Sequence, residues 1–162
     1  MAYVISALVG RPAPIGHAAA ALGLPEVAIP QGFVLLPGPH PDGDDPADAS
    51  DRNTGGQPFH SLASRLERAA ITASSLGAIA YLEAEFFAGP GTQAAVVWDD
   101  GRVVLGPLQH DGDDPAPEQP PMSDWPINTA LRRLGVRAGE GSDEFDALDL
   151  GRHRSTEGWR EP

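Results

Sequence analysis

Three apolar β-type runs in close succession constrain the fold of this chain more than any other feature. They span 78–87, 93–98 and 102–105. Asp99-Asp100-Gly101 separates the second from the third. An Asp-Gly step between apolar runs is a strong hairpin signal, because the tight turn that matches strand twist needs positive φ. Ala88-Gly89-Pro90-Gly91-Thr92 joins the first to the second with turn formers. An antiparallel three-strand meander is therefore expected. A strand over 2–9 carries Tyr3, Val4, Ile5, Leu8 and Val9, and shorter extended pieces are expected at 27–29 and 32–36.

Helical signals surround these strands. An Ala-rich segment at 15–22 has Pro14 near its start, Gly23 at its end and Pro25 beyond. Over 59–76, Leu62, Leu66, Ala69, Ala70, Ala73 and Leu76 recur at three and four, with Arg65, Glu67, Arg68, Thr72 and Ser75 opposite. The pattern predicts a long helix packed on the sheet and closed by Gly77. A helix at 126–134 presents Ile127, Ala130, Leu131 and Leu134, and a short one at 143–150 has Ser142 as its N-cap and acids in its first turn. Two acidic loops, 37–58 and 106–123, separate these elements. The expected fold is α+β: a mainly antiparallel sheet, one long helix on a face, and short C-terminal helices closing an end. A chain of 162 residues fits one domain.

Composition excludes several kinds of chemistry. With no cysteine, disulfides, thiolate nucleophiles and cysteine-based metal sites are absent. Every basic residue except histidine is arginine; this and the 19 Gly and 17 Pro fit a GC-rich bacterial genome. The net charge of -12 argues against nucleic acid and anionic membrane surfaces, and is compatible with a basic protein partner drawn by long-range attraction. No run approaches the roughly 20 apolar residues of a membrane span, and the first eleven residues read as a strand rather than a signal peptide, so a cytoplasmic location is expected.

The motifs that invite a catalytic reading have simpler ones. Asp42-Gly43-Asp44-Asp45-Pro46-Ala47 recurs as Asp111-Gly112-Asp113-Asp114-Pro115-Ala116, each after a histidine. Clustered carboxylates suit calcium, but Pro46 and Pro115 and the missing closing Glu break the EF-hand spacing. Solvated acidic loops are the simpler account. Glu83 and Glu85 lie two apart on a strand and so share a face. They are either an acid–base pair or the wet side of an antiparallel sheet. Gly89-Pro90-Gly91-Thr92 lacks the Lys and the helix of a phosphate loop. His17, His40, His60, His110 and His153 form no i, i+4 ligand pair, and no metal or cofactor is expected. Arg152-His153-Arg154 either grips a partner carboxylate or pins the C-terminal segment to Glu144, Asp146 or Asp149. Trp98 reads as core, while Trp125 and Trp159 are either docked rings or interface anchors.

Several of these runs are familiar together. Tyr81-Leu82-Glu83-Ala84-Glu85-Phe86-Phe87 leading into Gln93-Ala94-Ala95-Val96-Val97-Trp98, then Pro126-Ile127-Asn128-Thr129-Ala130-Leu131-Arg132-Arg133-Leu134 and Asp143-Glu144-Phe145-Asp146-Ala147-Leu148 through Arg154, resemble small bacterial cytosolic proteins found beside polymorphic toxins, some of which are immunity proteins. The likeness covers roughly the C-terminal half and brings no catalytic pattern. It implies a non-enzymatic inhibitor that neutralises a basic toxin domain. The partner-facing residues expected for that role are Glu83, Glu85, Asp42, Asp44, Asp45, Asp111, Asp113, Asp114, Trp125, Arg152 and Arg154. Two other classes fit the same residues: a small hydrolase or transferase using Glu83 and Glu85, and a structural or assembly subunit. Oligomeric state is not legible in the sequence.

Overall fold

The computed structural model describes residues 2–38, 59–87, 91–113 and 118–161. Among these residues, six strands form one sheet: β1 (Ala2–Gly10), β2 (Val27–Ile29), β3 (Phe33–Pro37), β4 (Ile79–Phe87), β5 (Thr92–Asp99) and β6 (Arg102–Asp111). Their order is β2-β3-β1-β4-β5-β6, and every neighbouring pair is antiparallel. The fold is α+β, and the meander β4-β5-β6 forms as the turn chemistry requires. Asp100 and Gly101 both take positive φ, 49° and 75°, in the two-residue loop between β5 and β6.

Among the described residues, four α-helices flank the sheet: α1 (Pro12–Leu22), α2 (Ser64–Ala73), α3 (Pro126–Arg133) and α4 (Glu144–Ala147). They cover both faces. On one, Ile15 and Ala18 of α1 and Leu66, Ala70 and Ala73 of α2 pack with Leu8, Tyr81, Val96 and Trp98. On the other, Ile127, Ala130 and Leu131 of α3, with Leu148, Leu150 and Trp159, pack on Ile5, Leu82, Ala95 and Val97. The C-terminal helices thus form a third layer rather than closing an end. The reason lies in the strands: Ile79 through Ala84 are all buried, and a strand apolar on both sides must be covered on both.

Two expected boundaries move. The long helix begins at Ser64, not 59, because the segment before it bends at His60 and Ser61, whose N–H groups are held by Glu83. The third meander strand does not stop at 105 but runs to Asp111, so the second acidic loop is shorter than 106–123. Gly106 makes this possible: its φ is 85°, and a Cβ there would lie 2.8 Å from the Ala95 carbonyl oxygen. The register against β5 shifts at this point, and an edge strand tolerates the adjoining proline.

The C-terminal segment completes the sheet. β3 pairs with β1 only from Ala7 to Gly10. Beside the remainder of β1, the Val4 N–H donates to the Arg154 carbonyl at 2.9 Å and the Ser6 N–H to Thr156 Oγ1 at 3.0 Å. Arg160 donates to the Gly38 carbonyl. Among the described residues, no helix is long and apolar enough to cross a membrane.

Candidate functional site

Strand alternation sends Glu83 and Glu85 to the face that carries α1 and α2, but their surroundings differ. Glu83 is only 9% exposed. Its Oε2 accepts from the His60 N–H at 2.7 Å and its Oε1 from the Ser61 N–H at 2.5 Å. The Tyr81 hydroxyl donates to Oε1 at 3.0 Å and lies 2.9 Å from Ser6 Oγ. The expectation of a wet face at Glu83 is therefore corrected: this carboxylate satisfies two backbone donors of the incoming chain and a buried phenol. A strand pattern cannot register a segment arriving from another part of the chain.

The buried network makes a prediction about alkaline pH. Burial, and next the Glu83 charge, push the Tyr81 hydroxyl well above the usual 10.0, and burial raises Tyr3 likewise. A phenol whose folded pKa exceeds its unfolded one contributes stability that is complete below about pH 10 and lost as pH climbs toward the folded value, because the unfolded chain releases its proton first. Urea midpoints are expected to fall steadily above that pH. Tyr81→Phe should make the fall shallower, even though it starts from a lower midpoint; an unchanged slope would contradict the assignment.

Glu85, by contrast, is exposed. It pairs across the ladder with Thr92, which pairs in turn with Asp111. The three residues form one row across adjacent strands, with the two carboxylates about 10 Å apart by strand spacing. Asp111 Oδ1 accepts from the Asp113 N–H at 3.0 Å, and both acids are exposed. Asp42, Asp44, Asp45 and Asp114 lie outside the described residues. Among the described residues, no group of three His, Asp or Glu could hold a metal ion.

The remaining expected contacts do not join this row. Arg152 pairs with Asp149 at 2.9 Å and lies over the Trp159 ring, 5.4 Å from its centroid. Arg154 is exposed, and its backbone carbonyl serves β1. Arg152 thus contacts its own segment, through Asp149 and Trp159, and Arg154 serves β1 through its backbone. Trp125 is docked: it is 8% exposed, its indole donates to the Pro120 carbonyl at 3.0 Å, and its ring packs on His110 at 4.5 Å.

Trp125 forms part of a pocket that sequence reasoning missed. It lies on the α3 face at the same end of the sheet, with a volume of about 300 Å³, at the lower end for small-ligand sites. Phe86, Trp125, Ile127, Phe145 and Met122 supply apolar lining; Gln93, Asn128 and Asp143 supply polar atoms. Each polar group holds the walls together. Gln93 Oε1 accepts from the Ile127 N–H at 3.1 Å. Asn128 Nδ2 donates to the Met122 carbonyl and to Asp143 Oδ2, and its Oδ1 accepts from the Phe145 N–H. Asp143 caps α4 through the Asp146 N–H at 2.9 Å.

The aromatic walls are equally fixed. Tyr3 stacks on Phe86 at 5.7 Å and meets Phe145 edge-on at 5.6 Å, while its hydroxyl donates to the Leu150 carbonyl. Behind them, Arg132 bonds Glu144 at 2.9 Å and the Ser123 carbonyl at 2.7 Å, linking α3 to the segments on either side. The Glu144 hydrogen bond raises the Arg132 pKa above its ordinary value. The one sequence signal for the pocket was an amide in each of two apolar stretches, Gln93 and Asn128.

No family model matches this chain, and no curated protein or solved structure is detectably similar to it.

Proposed function

We propose that this chain is a binding protein of the immunity or inhibitor type, which neutralises a basic protein partner. One observation carries the reading: Glu85 on β4 and Asp111 on β6 stand exposed in one row, on either side of Thr92 of β5, so their charges are held by the sheet and need little ordering on contact. Four arginines are engaged within the molecule. Arg132 and Arg152 bind carboxylates, Arg11 donates to the Gln31 carbonyl and lies over Phe33, and Arg160 donates to Gly38. The chain carries a net charge of -12, and Glu85, Asp111 and Asp113 are exposed acids at this end of the sheet. Such a surface steers a basic domain and matches its charge. The occupied oxygens of Glu83 weigh against a catalytic Glu83–Glu85 pair.

The test is affinity capture with the tagged full chain from its native host at low and moderate salt. One stoichiometric basic protein is expected, released by salt and lost with the double variant Glu85→Gln/Asp111→Asn. These exposed substitutions should change stability by no more than about 0.5 kcal/mol. Capture of no protein, or of one indifferent to the double variant, would overturn the reading.

A further inference from the structure

We propose that the pocket between β4, β5 and α3 is a receptor for the guanidinium of an arginine side chain presented by a protein partner. The inference rests on the inhibitor reading only for the source of that arginine; the chemistry comes from the pocket itself.

Phe86, Trp125 and Phe145 bring aromatic surface to the cavity, and among the described residues that line it Asp143 alone is ionisable. Aromatic faces carry negative potential and attract cations, most strongly where water is excluded. An anion would meet that potential and the Asp143 carboxylate together. A neutral apolar ligand would strip water from the carboxylate and return nothing. A cation on an apolar stem satisfies both surfaces at once.

Arginine fits better than lysine for two reasons. Its planar guanidinium stacks on aromatic rings and is more weakly hydrated than an ammonium. It also has donors in a fan, which suits a carboxylate already accepting from Asn128 and from the Asp146 N–H. The walls are set in advance: Trp125 is tied to Pro120, and Tyr3 braces both Phe86 and Phe145. A preformed pocket avoids the ordering cost of closing around its guest. It lies at the same end of the sheet as the Glu85 and Asp111 row but on the opposite face, and Gln93 of β5 lines it.

The experiment follows the Trp125 indole and Asn128 side-chain amide signals by NMR while the full chain is titrated with three probes. These are an end-blocked Gly-Arg-Gly peptide, the same peptide with norleucine in place of arginine, and agmatine. The arginine peptide should move both signals saturably, and the norleucine peptide should bind at least about tenfold more weakly, as expected for loss of both cation–π and charge contacts. Asp143→Asn should weaken the arginine peptide about tenfold. It keeps the cap on α4 but sets an amide against the Asn128 amide. The loss is therefore read against Asn128→Asp, which leaves the pocket a carboxylate and should retain arginine-peptide binding. Equal binding of the norleucine peptide, or undiminished binding by Asp143→Asn, would overturn the proposal. Agmatine binding without arginine-peptide binding would also overturn it, by assigning the pocket to a free small cation. If the arginine peptide binds but host capture yields no basic partner, the inhibitor reading falls and the pocket chemistry stands. If a partner is captured and Asp143→Asn leaves its affinity unchanged, the pocket proposal falls and the inhibitor reading stands.

Discussion

Replacing Trp159 by alanine is expected to destabilise the protein by about 4 kcal/mol, in the range for deleting a buried large aromatic. Trp159 is 2% exposed and packs into the core on the α3 face, with His153 edge-on at 4.7 Å. Its removal leaves a cavity, and it also loosens the segment that serves β1. Val4 and Ser6 then lose the partners that Arg154 and Thr156 supply, and an unsatisfied backbone donor is itself costly. Urea unfolding should show a lower midpoint with an unchanged slope, and amide exchange should speed up at Val4 and Ser6 before the rest of β1. Trp159→Phe should recover most of the loss. A change below about 1 kcal/mol with protection at Val4 and Ser6 intact would mean that the C-terminal segment is not anchored by this ring.

The second large effect separates two acids that look alike in sequence. Glu83→Ala should cost about 3 kcal/mol, because it strands the His60 and Ser61 N–H groups and the Tyr81 hydroxyl around a buried gap. Glu83→Gln should cost somewhat less, about 2 kcal/mol, since one oxygen remains to accept while the new amide faces a donor. Glu85→Gln should stay within about 0.5 kcal/mol, as for other exposed positions. Chemical denaturation of the three variants checks this, and equal midpoints for the Glu83 and Glu85 substitutions would contradict the placement of Glu83.

The contrast shows where sequence reading succeeds and where it stops. Local chemistry was legible: Asp100-Gly101 set the β5–β6 hairpin, Gly23 ended α1 in the left-handed region, and the apolar runs placed β4 and β5. The extent of β6 was not, because Gly106-Pro107 reads as a strand breaker unless the strand lies at an edge and takes a bulge there. Glu83 was placed on the correct face and given the wrong surroundings. Its burial depends on residues 60 and 61 arriving through space, and a two-residue periodicity carries no such information.

The pocket was illegible for a related reason. Phe86, Trp125 and Phe145 come from a strand, a turn and a short helix, and no spacing in the chain links them. Only the sheet order and the third layer bring them together. The unusual amides Gln93 and Asn128 hinted that something polar was needed there, without saying what. The sequence points to Ser142 as the cap of α4, and Asp143 caps it instead; its second role follows from the aromatic rings around it.

The most direct test of the account is a titration of the captured basic partner against the wild-type chain and Glu85→Gln/Asp111→Asn, each at low and at physiological ionic strength. If the sheet row is the contact, wild-type affinity should fall steeply with salt, by about tenfold or more, and the double variant should bind weakly with a much flatter dependence. Identical affinities and identical salt dependence for the two chains would show that Glu85 and Asp111 take no part in binding.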